Sequence, residues 1–586
     1  MKLLLLAHAF NGLTQRLHCA LRGAGHEVSV ELDISDAVTE EAVALADPDL
    51  VIAPFLKRRI PESVWSVRPC LVVHPGPPGD RGPAALDWAV LRGDVEGGVT
   101  VLQAIGDFDA GPVWAWRTFA LRRDASKASL YRHEVTQAAV EAVLEAVDRL
   151  RAGAMAPASP PHLPPPPTWG GGWQGPVPAA QRAIDWSRDD TASVLRKLRS
   201  ADGHPGVADV LFGRSCRLHD AHEASAAALQ RAPAGAPGSL VARRGPALLR
   251  RTVDGGVWIG HVRCEPPPGQ PALKLAATRA FAAESAALPE LEVPLQRDAA
   301  EWDELHYAES GADGQRVGWL AFDFHNGAMS TRQCERLRDA LRLVRMRDTQ
   351  VLVLQGGTDF FSNGIHLHDI EAAAQDAGDS AADASWRNIN AIDDVVLELL
   401  TLTDRLTVAL MRGNAGAGGC WLGFAADIVW AHGGVVLNPH YKNMGNLYGS
   451  EYWTCTLPRR VGAARAAEVS QRVMQGRLPL SAAEAVSLGL VDAVLNAGSD
   501  GLPQAAQTRA LALAAAHNHA ERIATKQRAR AEDEAHQALA AYRDQELQQM
   551  HRNFYGFDPS YHVARHHFVT RKPHAWTPRH LATHRP

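Results

Sequence analysis

The sequence predicts a multidomain α/β protein. Its 586 residues exceed the usual domain size of roughly 100 to 200 residues, so three or four folded units are expected. Short apolar strands alternate with amphipathic helical segments near the N-terminus and again after residue 315, which indicates two mostly parallel sheets. Segments rich in Pro, Gly and Ala, at 153–180 and 284–295, predict the boundaries between units.

The composition is that of an ordinary globular protein. Hydrophobic residues make up 46% and charged residues 21%, and the net charge of -5 gives no reason to expect nucleic acid as a partner. The seven cysteines have no C-x-x-C spacing, so neither a disulfide framework nor a metal site is predicted. No apolar run approaches the ~18 residues that span a bilayer, and we expect a cytoplasmic protein that does not bind membranes.

The first sheet is expected to carry a ligand site. In mostly parallel sheets, ligands bind beyond the carboxyl ends of the strands, and Asn11 and Gln15 follow the first strand. Lys57, Arg58 and Arg59 follow the third strand and could serve an anionic ligand. The strands predicted here cover residues 3–7, 27–32 and 49–54.

Motifs in the first 280 residues resemble those of formyltransferases that use 10-formyltetrahydrofolate, most of all methionyl-tRNA formyltransferase. They are His74-Pro75, Arg81-Gly82-Pro83 and Asp109-Ala110-Gly111. Downstream, the segment from Ile184 to Gly206 resembles that family's passage into its C-terminal domain. The resemblance implies a small OB-like β module. It also implies contacts to the cofactor from Asn11, Gln15, Arg81, Gly82, Arg132 and Lys197.

His74 and Asp109 are the predicted catalytic residues of this region. Formyl transfer passes through a tetrahedral oxyanion, which needs a hydrogen-bond donor and a proton relay. The family has an Asn two residues before the His, but Val72 stands here, which favours a more acidic acceptor such as a thiol. The alternative is that His74 and Asp109 form a structural pair in a domain kept for binding alone.

Residues from 315 to about 530 resemble the crotonase, or enoyl-CoA hydratase/isomerase, superfamily. The matching segments are Phe361-Ser-Asn-Gly-Ile365, Ala415-Gly-Ala-Gly-Gly-Cys420 and Ala426-Asp-Ile-Val429. The resemblance implies a ββα spiral fold and an oxyanion hole made by the backbone N–H groups of Ile365 and Gly418, which would polarise a thioester carbonyl.

The side chains in this second region do not suit water addition. Trp421 and His440 stand where hydratases carry their two glutamates. Polar and aromatic neighbours favour a small acyl group, and we predict Glu451 as proton acceptor and Tyr441 as the donor that orients it. The alternative is that Tyr441 and Glu451 are interior structural partners.

The whole chain resembles the HypX (HoxX) family of hydrogenase maturation factors. The resemblance implies that formyl passes from 10-formyltetrahydrofolate to coenzyme A, and that formyl-CoA is decarbonylated to CO for a [NiFe] hydrogenase. Arg552 and Arg565 are expected to meet CoA phosphates, and hydrogenase assembly factors are possible partners besides the small-molecule substrates. Two other hypotheses stay open, hydrolysis of formyl-CoA to formate and a non-catalytic assembly scaffold. The predicted domains are 1–165, 180–284, 315–530 and a helical, basic tail at 531–586.

Overall fold

The structure is a computed structural model that describes residues 1–153, 171–298, 300–496, 498 and 501–586. The part of the predicted 153–180 linker that contains Pro164 to Pro167 lies outside the described residues. The chain forms two compact units. Unit 1 contains Met1–Glu265, Ala276–Glu290 and Pro573–Pro586, and unit 2 contains Pro266–Leu275 and Leu291–Lys572.

The first sheet of unit 1 is mostly parallel, as predicted. Its strand order is β2-β1-β3-β4-β6-β7, in which β6 is antiparallel to both of its neighbours and the other five strands run in one direction. Strand β1 has the sequence KLLLLA and is buried from Leu3 to Ala7, because helices pack against the faces of this mostly parallel sheet. The strands are β1 (Lys2–Ala7), β2 (Glu27–Leu32), β3 (Leu50–Phe55), β4 (Cys70–His74), β5 (Asp80–Arg81), β6 (Glu96–Gln103), β7 (Val113–Ala120) and β8 (Gly172–Trp173).

Helices accompany this sheet, and the short strands β5 and β8 pair with each other in parallel. The helices are α1 (Gly12–Gly23), α2 (Asp36–Ala46), α3 (Glu62–Trp65), α4 (Ala85–Arg92), α5 (Lys127–Leu130), a π-helical turn (Tyr131–Val135) and α6 (Thr136–Arg151).

A second, antiparallel sheet in unit 1 confirms the predicted β-rich module. Its strand order is β11-β12-β13-β10-β9, and its core packs against helix α8. The elements of this region are α7 (Ala179–Arg182), α8 (Thr191–Ala201), β9 (Val207–Leu211), β10 (Arg214–Glu223), α9 (Ala226–Arg231), β11 (Leu240–Arg244), β12 (Ala247–Arg251), β13 (Gly256–Cys264), β14 (Lys274–Ala276), α10 (Ala277–Ala280) and α11 (Ala282–Ser285).

The C-terminal segment Pro573–Pro586 belongs to unit 1, so the predicted tail at 531–586 is divided between the units. The N–H of Val30 donates to the carbonyl of Leu581 at 3.0 Å. The buried carboxylate of Glu31 accepts from His584 Nε2 at 2.9 Å and from Arg585 Nε at 2.8 Å. Strand β2 is an edge strand, and this segment covers it.

Unit 2 contains the mostly parallel sheets expected of a crotonase-type spiral. The main sheet has the order β15-β16-β18-β21-β23-β26, with only β15 antiparallel, beside a β19-β22-β24-β25 sheet and a β17-β20 pair. The strands are β15 (Leu305–Ser310), β16 (Val317–Phe322), β17 (Ala328–Met329), β18 (Val351–Gln355), β19 (Phe360–Ser362), β20 (Gly364–Ile365), β21 (Leu406–Met411), β22 (Asn414–Gly416), β23 (Ile428–His432), β24 (Val436–Asn438), β25 (Leu480–Ser481) and β26 (Ala493–Leu495).

The helices of unit 2 bury their apolar faces against these sheets. They are α12 (Thr331–Arg345), α13 (Leu367–Ala373), α14 (Ala381–Leu400), α15 (Gly418–Phe424), α16 (Trp453–Val461), α17 (Ala463–Ser470), a π-helical turn (Gln471–Gln475), α18 (Ala482–Leu488), α19 (Leu502–Ala514), α20 (His519–His536), α21 (Leu539–Tyr555) and α22 (Ser560–Val569). Within the described ranges, no helix has both the length and the apolarity that crossing a membrane requires.

Candidate active sites

The first candidate site is centred on His74, the last residue of β4. The side chain is buried, and its Nε2 lies 2.8 Å from Oδ1 of Asp80, which is also buried. Its Nδ1 lies 3.6 Å from Oδ2 of Asp109. The predicted pair of His74 and Asp109 is therefore brought together, but Asp80 is the nearer carboxylate and was not predicted. The imidazole is therefore held between two carboxylates.

In the loops that hold these carboxylates, backbone segments lie very close to one another. Asp109 has φ +51°, in the left-handed region that Asp tolerates better than most residues. Its Oδ2 accepts from the N–H of Gly82 at 3.0 Å, so a residue predicted to bind the cofactor positions one predicted to be catalytic. Gly82 has φ +115°, and a β-carbon there would lie 2.1 Å from the carbonyl oxygen of Gln174. Only glycine fits this position.

The other predicted cofactor residues of unit 1 fall into two groups. Asn11 caps α1 by accepting from the N–H of Thr14 at 3.0 Å, and Gln15 Nε2 donates to a backbone carbonyl in the loop after β1. Both lie at the carboxyl end of β1, where the ligand site was predicted. Arg132 lies in the π-helical turn after α5. Lys197 is instead paired with Asp189 at 2.5 Å within α8 and its preceding turn, because the helix carries it toward that acid.

The second candidate site lies where two glycine turns of unit 2 meet. Gly364 has φ +77°, and a β-carbon built on it would lie 3.4 Å from the backbone nitrogen of Gly418. Helix α15 begins at Gly418, and the first N–H groups of a helix have no acceptor within it. The backbone segments of Ile365 and Gly418, predicted to form an oxyanion hole, are thus adjacent.

The carboxyl group of Glu451 lies directly on this turn. A β-carbon at Gly418 would lie 2.1 Å from Oε1 of Glu451, so glycine is what allows the contact. The other oxygen, Oε2, accepts from the Tyr441 hydroxyl at 2.5 Å and from the N–H of Ser450 at 3.1 Å. Glu451 has φ +62° and is 1% exposed. The predicted acid and its predicted orienting donor are therefore in direct contact.

Asp393 of α14 supports this arrangement and was not predicted. Its Oδ1 accepts from the N–H of Glu451 at 2.8 Å and from the Ser450 hydroxyl at 2.7 Å. Burial and the negative charge of Asp393 raise the pKa of Glu451, and burial likewise raises the pKa of Asp393. Burial beside Glu451 raises the pKa of Tyr441, so its hydroxyl keeps its proton and remains a donor. A carboxyl with a raised pKa suits proton transfer near neutral pH.

The positions at which hydratases carry glutamates have other roles. Trp421 is buried, and its indole N–H donates to the carbonyl of Pro439 at 2.8 Å. His440 is buried too. Since neither residue is a carboxylic acid, the paired acid–base groups of hydration are missing.

The two arginines predicted to meet CoA phosphates differ in their surroundings. Arg552 is exposed on α21. Arg565 is 5% exposed, and its Nε donates to Glu371 Oε2 at 2.8 Å, so the protein already supplies its counter-charge. This ion pair between α22 and α13 differs from the phosphate contact expected from the sequence.

Comparisons with known proteins agree with the fold of both domains. Residues 15–147 match the formyl transferase family, and residues 323–579 match the enoyl-CoA hydratase/isomerase family. The chain is 29% identical over 257 residues to the methionyl-tRNA formyltransferase of Anaeromyxobacter dehalogenans, which covers 42% of this chain and 76% of that protein. It is 54% identical over 589 aligned positions to the hydrogenase maturation factor HoxX of Bradyrhizobium diazoefficiens, covering 100% of this chain and 97% of that protein.

Among solved structures, HypX from Aquifex aeolicus in complex with tetrahydrofolic acid superposes with a TM-score of 0.91 at 43% identity. The match covers 100% of this chain and 99% of that one. The fold and the sites thus define a protein in which a formyltransferase domain is joined to a crotonase-type domain. The sequence identity to HoxX and HypX extends over the full chain, and it therefore identifies the family as well as the domains. The chain belongs to the HypX/HoxX family of hydrogenase maturation factors.

Proposed function

We propose that this protein makes carbon monoxide in two steps. The formyltransferase site transfers a formyl group from 10-formyltetrahydrofolate to the thiol of coenzyme A. The crotonase-type site then converts formyl-CoA into CO and free CoA. The CO would go to the iron of a [NiFe] hydrogenase through other assembly factors, which fits the family to which the chain belongs.

The proposed decarbonylation rests on the position of the Glu451 carboxyl group. Formyl-CoA loses CO when a base removes the formyl proton. The electron pair of the C–H bond stays on carbon as CO forms, and the pair of the C–S bond leaves with the thiolate. Oε1 of Glu451 faces the turn of Gly418, while Tyr441 and Ser450 hold Oε2. The carboxylate of Glu451 accepts the formyl proton and passes it to the departing thiolate, which gives CoA and returns Glu451 to its ionised form.

The formyltransferase step uses His74 between two carboxylates. Asp80, 2.8 Å from Nε2, and Asp109, 3.6 Å from Nδ1, orient the imidazole, which relays the proton that the acceptor thiol loses during the transfer. The related structure that holds tetrahydrofolic acid supports folate as the formyl carrier. Val72 occupies the position of the family's Asn, which supports a thiol acceptor because a thiol ionises more easily than an amine.

Gas trapping tests the proposal. Purified protein is mixed with 10-formyltetrahydrofolate and CoA, CO is captured as carbonyl-haemoglobin, and formate is measured in the same sample. We expect CO in proportion to the folate consumed, and none when CoA is omitted. Formate without CO would instead support hydrolysis of formyl-CoA, and no turnover of either would support a non-catalytic scaffold.

A further inference from the structure

Two exposed aromatic side chains form a platform in unit 1. Phe108 is 41% exposed and Trp173 is 60% exposed, and their ring centroids lie 6.3 Å apart at an interplanar angle of 42°. The guanidinium carbon of Arg59 lies 4.4 Å above the Phe108 ring. A single exposed aromatic residue is common on protein surfaces, but a pair of rings with a stacked cation is a surface that fits a flat, anionic molecule. We call these three residues the aromatic platform.

The platform is attached on both sides to the segments that hold His74. Phe108 directly precedes Asp109, whose carboxylate lies on one side of the imidazole. Trp173 belongs to β8, which pairs with β5, the strand that contains Asp80 on the other side of the imidazole. The N–H of Gln174 donates to the carbonyl of Arg81 at 2.8 Å, and this bond holds β8, with Trp173, against β5. Phe108 is therefore next to Asp109 in the sequence, and Trp173 pairs with Arg81, the residue that follows Asp80.

We propose that the aromatic platform binds the aminobenzoyl-glutamate part of the formyl donor. In 10-formyltetrahydrofolate the formyl carbon is bonded to N10, and N10 is bonded directly to the benzoyl ring. When the formyl carbon is at His74, this ring must lie within a few bonds of it, and Phe108 and Trp173 lie on the segments that adjoin the two carboxylates around His74. The inference rests on the proposed use of a formyl folate and adds the residues that position it.

The charges near the platform suit the glutamate end of the same molecule. Arg59 and Arg81 are both exposed, so their guanidinium groups can pair with the glutamate carboxylates. The adenine of coenzyme A has the same general chemistry, a flat ring joined to anionic groups. It is separated from its thiol by the long pantetheine chain, however, and cannot lie next to the transferred carbon while the thiol attacks it. The position beside His74 thus favours the folate over CoA.

Binding measurements on the full chain test this inference. The probes are tetrahydrofolate, tetrahydropteroate, which lacks the glutamate, and CoA, each titrated calorimetrically. Trp173→Ala should weaken tetrahydrofolate binding roughly tenfold, since loss of ring stacking typically has that effect, and Trp173→Phe should restore most of it. Arg59→Gln should weaken tetrahydrofolate but leave tetrahydropteroate unchanged. The matched control is Phe557→Ala, which removes a fully exposed ring from unit 2 and should change neither affinity.

The outcomes separate this inference from the proposed function. Unchanged tetrahydrofolate affinity in Trp173→Ala, or a loss of CoA affinity alone, would overturn the platform's assignment to the folate even if wild-type protein makes CO. Conversely, weaker tetrahydrofolate binding in the variant would support the platform even if wild-type protein released only formate. Free p-aminobenzoyl-glutamate should compete with tetrahydrofolate for the wild-type protein but not for Trp173→Ala. This result would support the assignment directly, because the probe carries no formyl group and does not depend on the reaction at His74.

Discussion

The hydroxyl of Tyr441 donates to Oε2 of Glu451 at 2.5 Å, and this contact leaves Oε1 of the same carboxyl facing Gly418. The two oxygens of one side chain thus have different roles. One is held by donors, and the other lies beside the backbone turn where a thioester oxygen would bind. This asymmetry gives the proton acceptor a fixed direction, which is what a proton abstraction from a one-carbon acyl group requires.

Glu451→Gln should stop CO release while formyl-CoA accumulates. The amide keeps the size of the side chain and still accepts from Tyr441, but it cannot take up the formyl proton. We expect CO production to fall by at least about a hundredfold, the usual contribution of a positioned base. Chromatography of the CoA species checks this. Loss of formyl-CoA formation in the same variant would contradict the division of work between His74 and Glu451.

Gly418→Ala should also block the second step, for a steric reason. A β-carbon there would lie 2.1 Å from Oε1 of Glu451, so the carboxyl must move away from the turn. We expect decarbonylation of added formyl-CoA to be lost while formyl transfer to CoA persists. The control is Gly106→Ala, since a β-carbon at Gly106 meets nothing within 4 Å. Normal CO release by Gly418→Ala would argue against this position of the carboxyl.

The pH dependence of decarbonylation should report the charge of Asp393. Glu451 acts as a base only when ionised, so the rate should rise with pH through its pKa, which burial and Asp393 raise. Asp393→Asn removes the neighbouring charge but keeps an acceptor oxygen, so the rise should shift to lower pH. Single-turnover rates between about pH 5 and 9 measure this shift. Asp394→Asn is the control, because that carboxyl is partly exposed and pairs with Arg543. An unchanged or upward-shifted profile in Asp393→Asn would contradict the coupling.

The ion pairs of Glu31 should make attachment of the C-terminal segment sensitive to acid. Burial alone would raise the pKa of Glu31, but hydrogen bonds from His584, Arg585 and Thr577 outweigh it and lower the pKa below its ordinary 4.5. A lowered carboxyl pKa stabilises the fold above about pH 4.5, and this stabilisation is lost as the pH falls through the folded-state pKa. The susceptibility of the segment to carboxypeptidase, compared after brief exposure to pH 7 and to acid, measures this.

Glu31→Gln should loosen the same segment at neutral pH. It leaves His584 and Arg585 without their buried carboxylate, and breaking a buried pair costs about 3 to 5 kcal/mol. Glu41→Gln is the matched control. Glu41 also contacts Arg585, at 2.7 Å, but is 60% exposed, so its loss should cost less than about 1 kcal/mol. Equal effects of the two variants would show that burial of Glu31 adds nothing.

Much of the fold could be predicted because local apolar patterns match buried strands. The second strand was predicted at 27–32, which are its bounds in the structure. Local capping also sets helix boundaries, since α8 begins at Thr191, where Asp190 accepts from the N–H of Ser193. Residues 502–555 form three helices, α19, α20 and α21, and no Gly or Pro lies in the two breaks between them to indicate these boundaries.

The sites were predicted only where a motif contains the residue. His74, Asp109 and Glu451 lie in recognisable segments, but the carboxylates that hold them come from elsewhere. Asp80 directly precedes the Arg81-Gly82 motif, and that proximity was the available signal. Asp393 lies in the middle of α14, where an acid usually faces solvent, so its burial against Ser450 depends on tertiary packing that no local pattern indicates.

The attachment of Pro573–Pro586 to β2 affects how this protein is made. During synthesis, the strands of unit 1 leave the ribosome long before Thr577, Leu581 and His584 exist. The edge of strand β2 therefore stays uncovered while unit 2 is being translated, and it is paired only after unit 2 has emerged. A gene fragment that stops after the first 290 residues would encode a formyltransferase unit that never receives this cover.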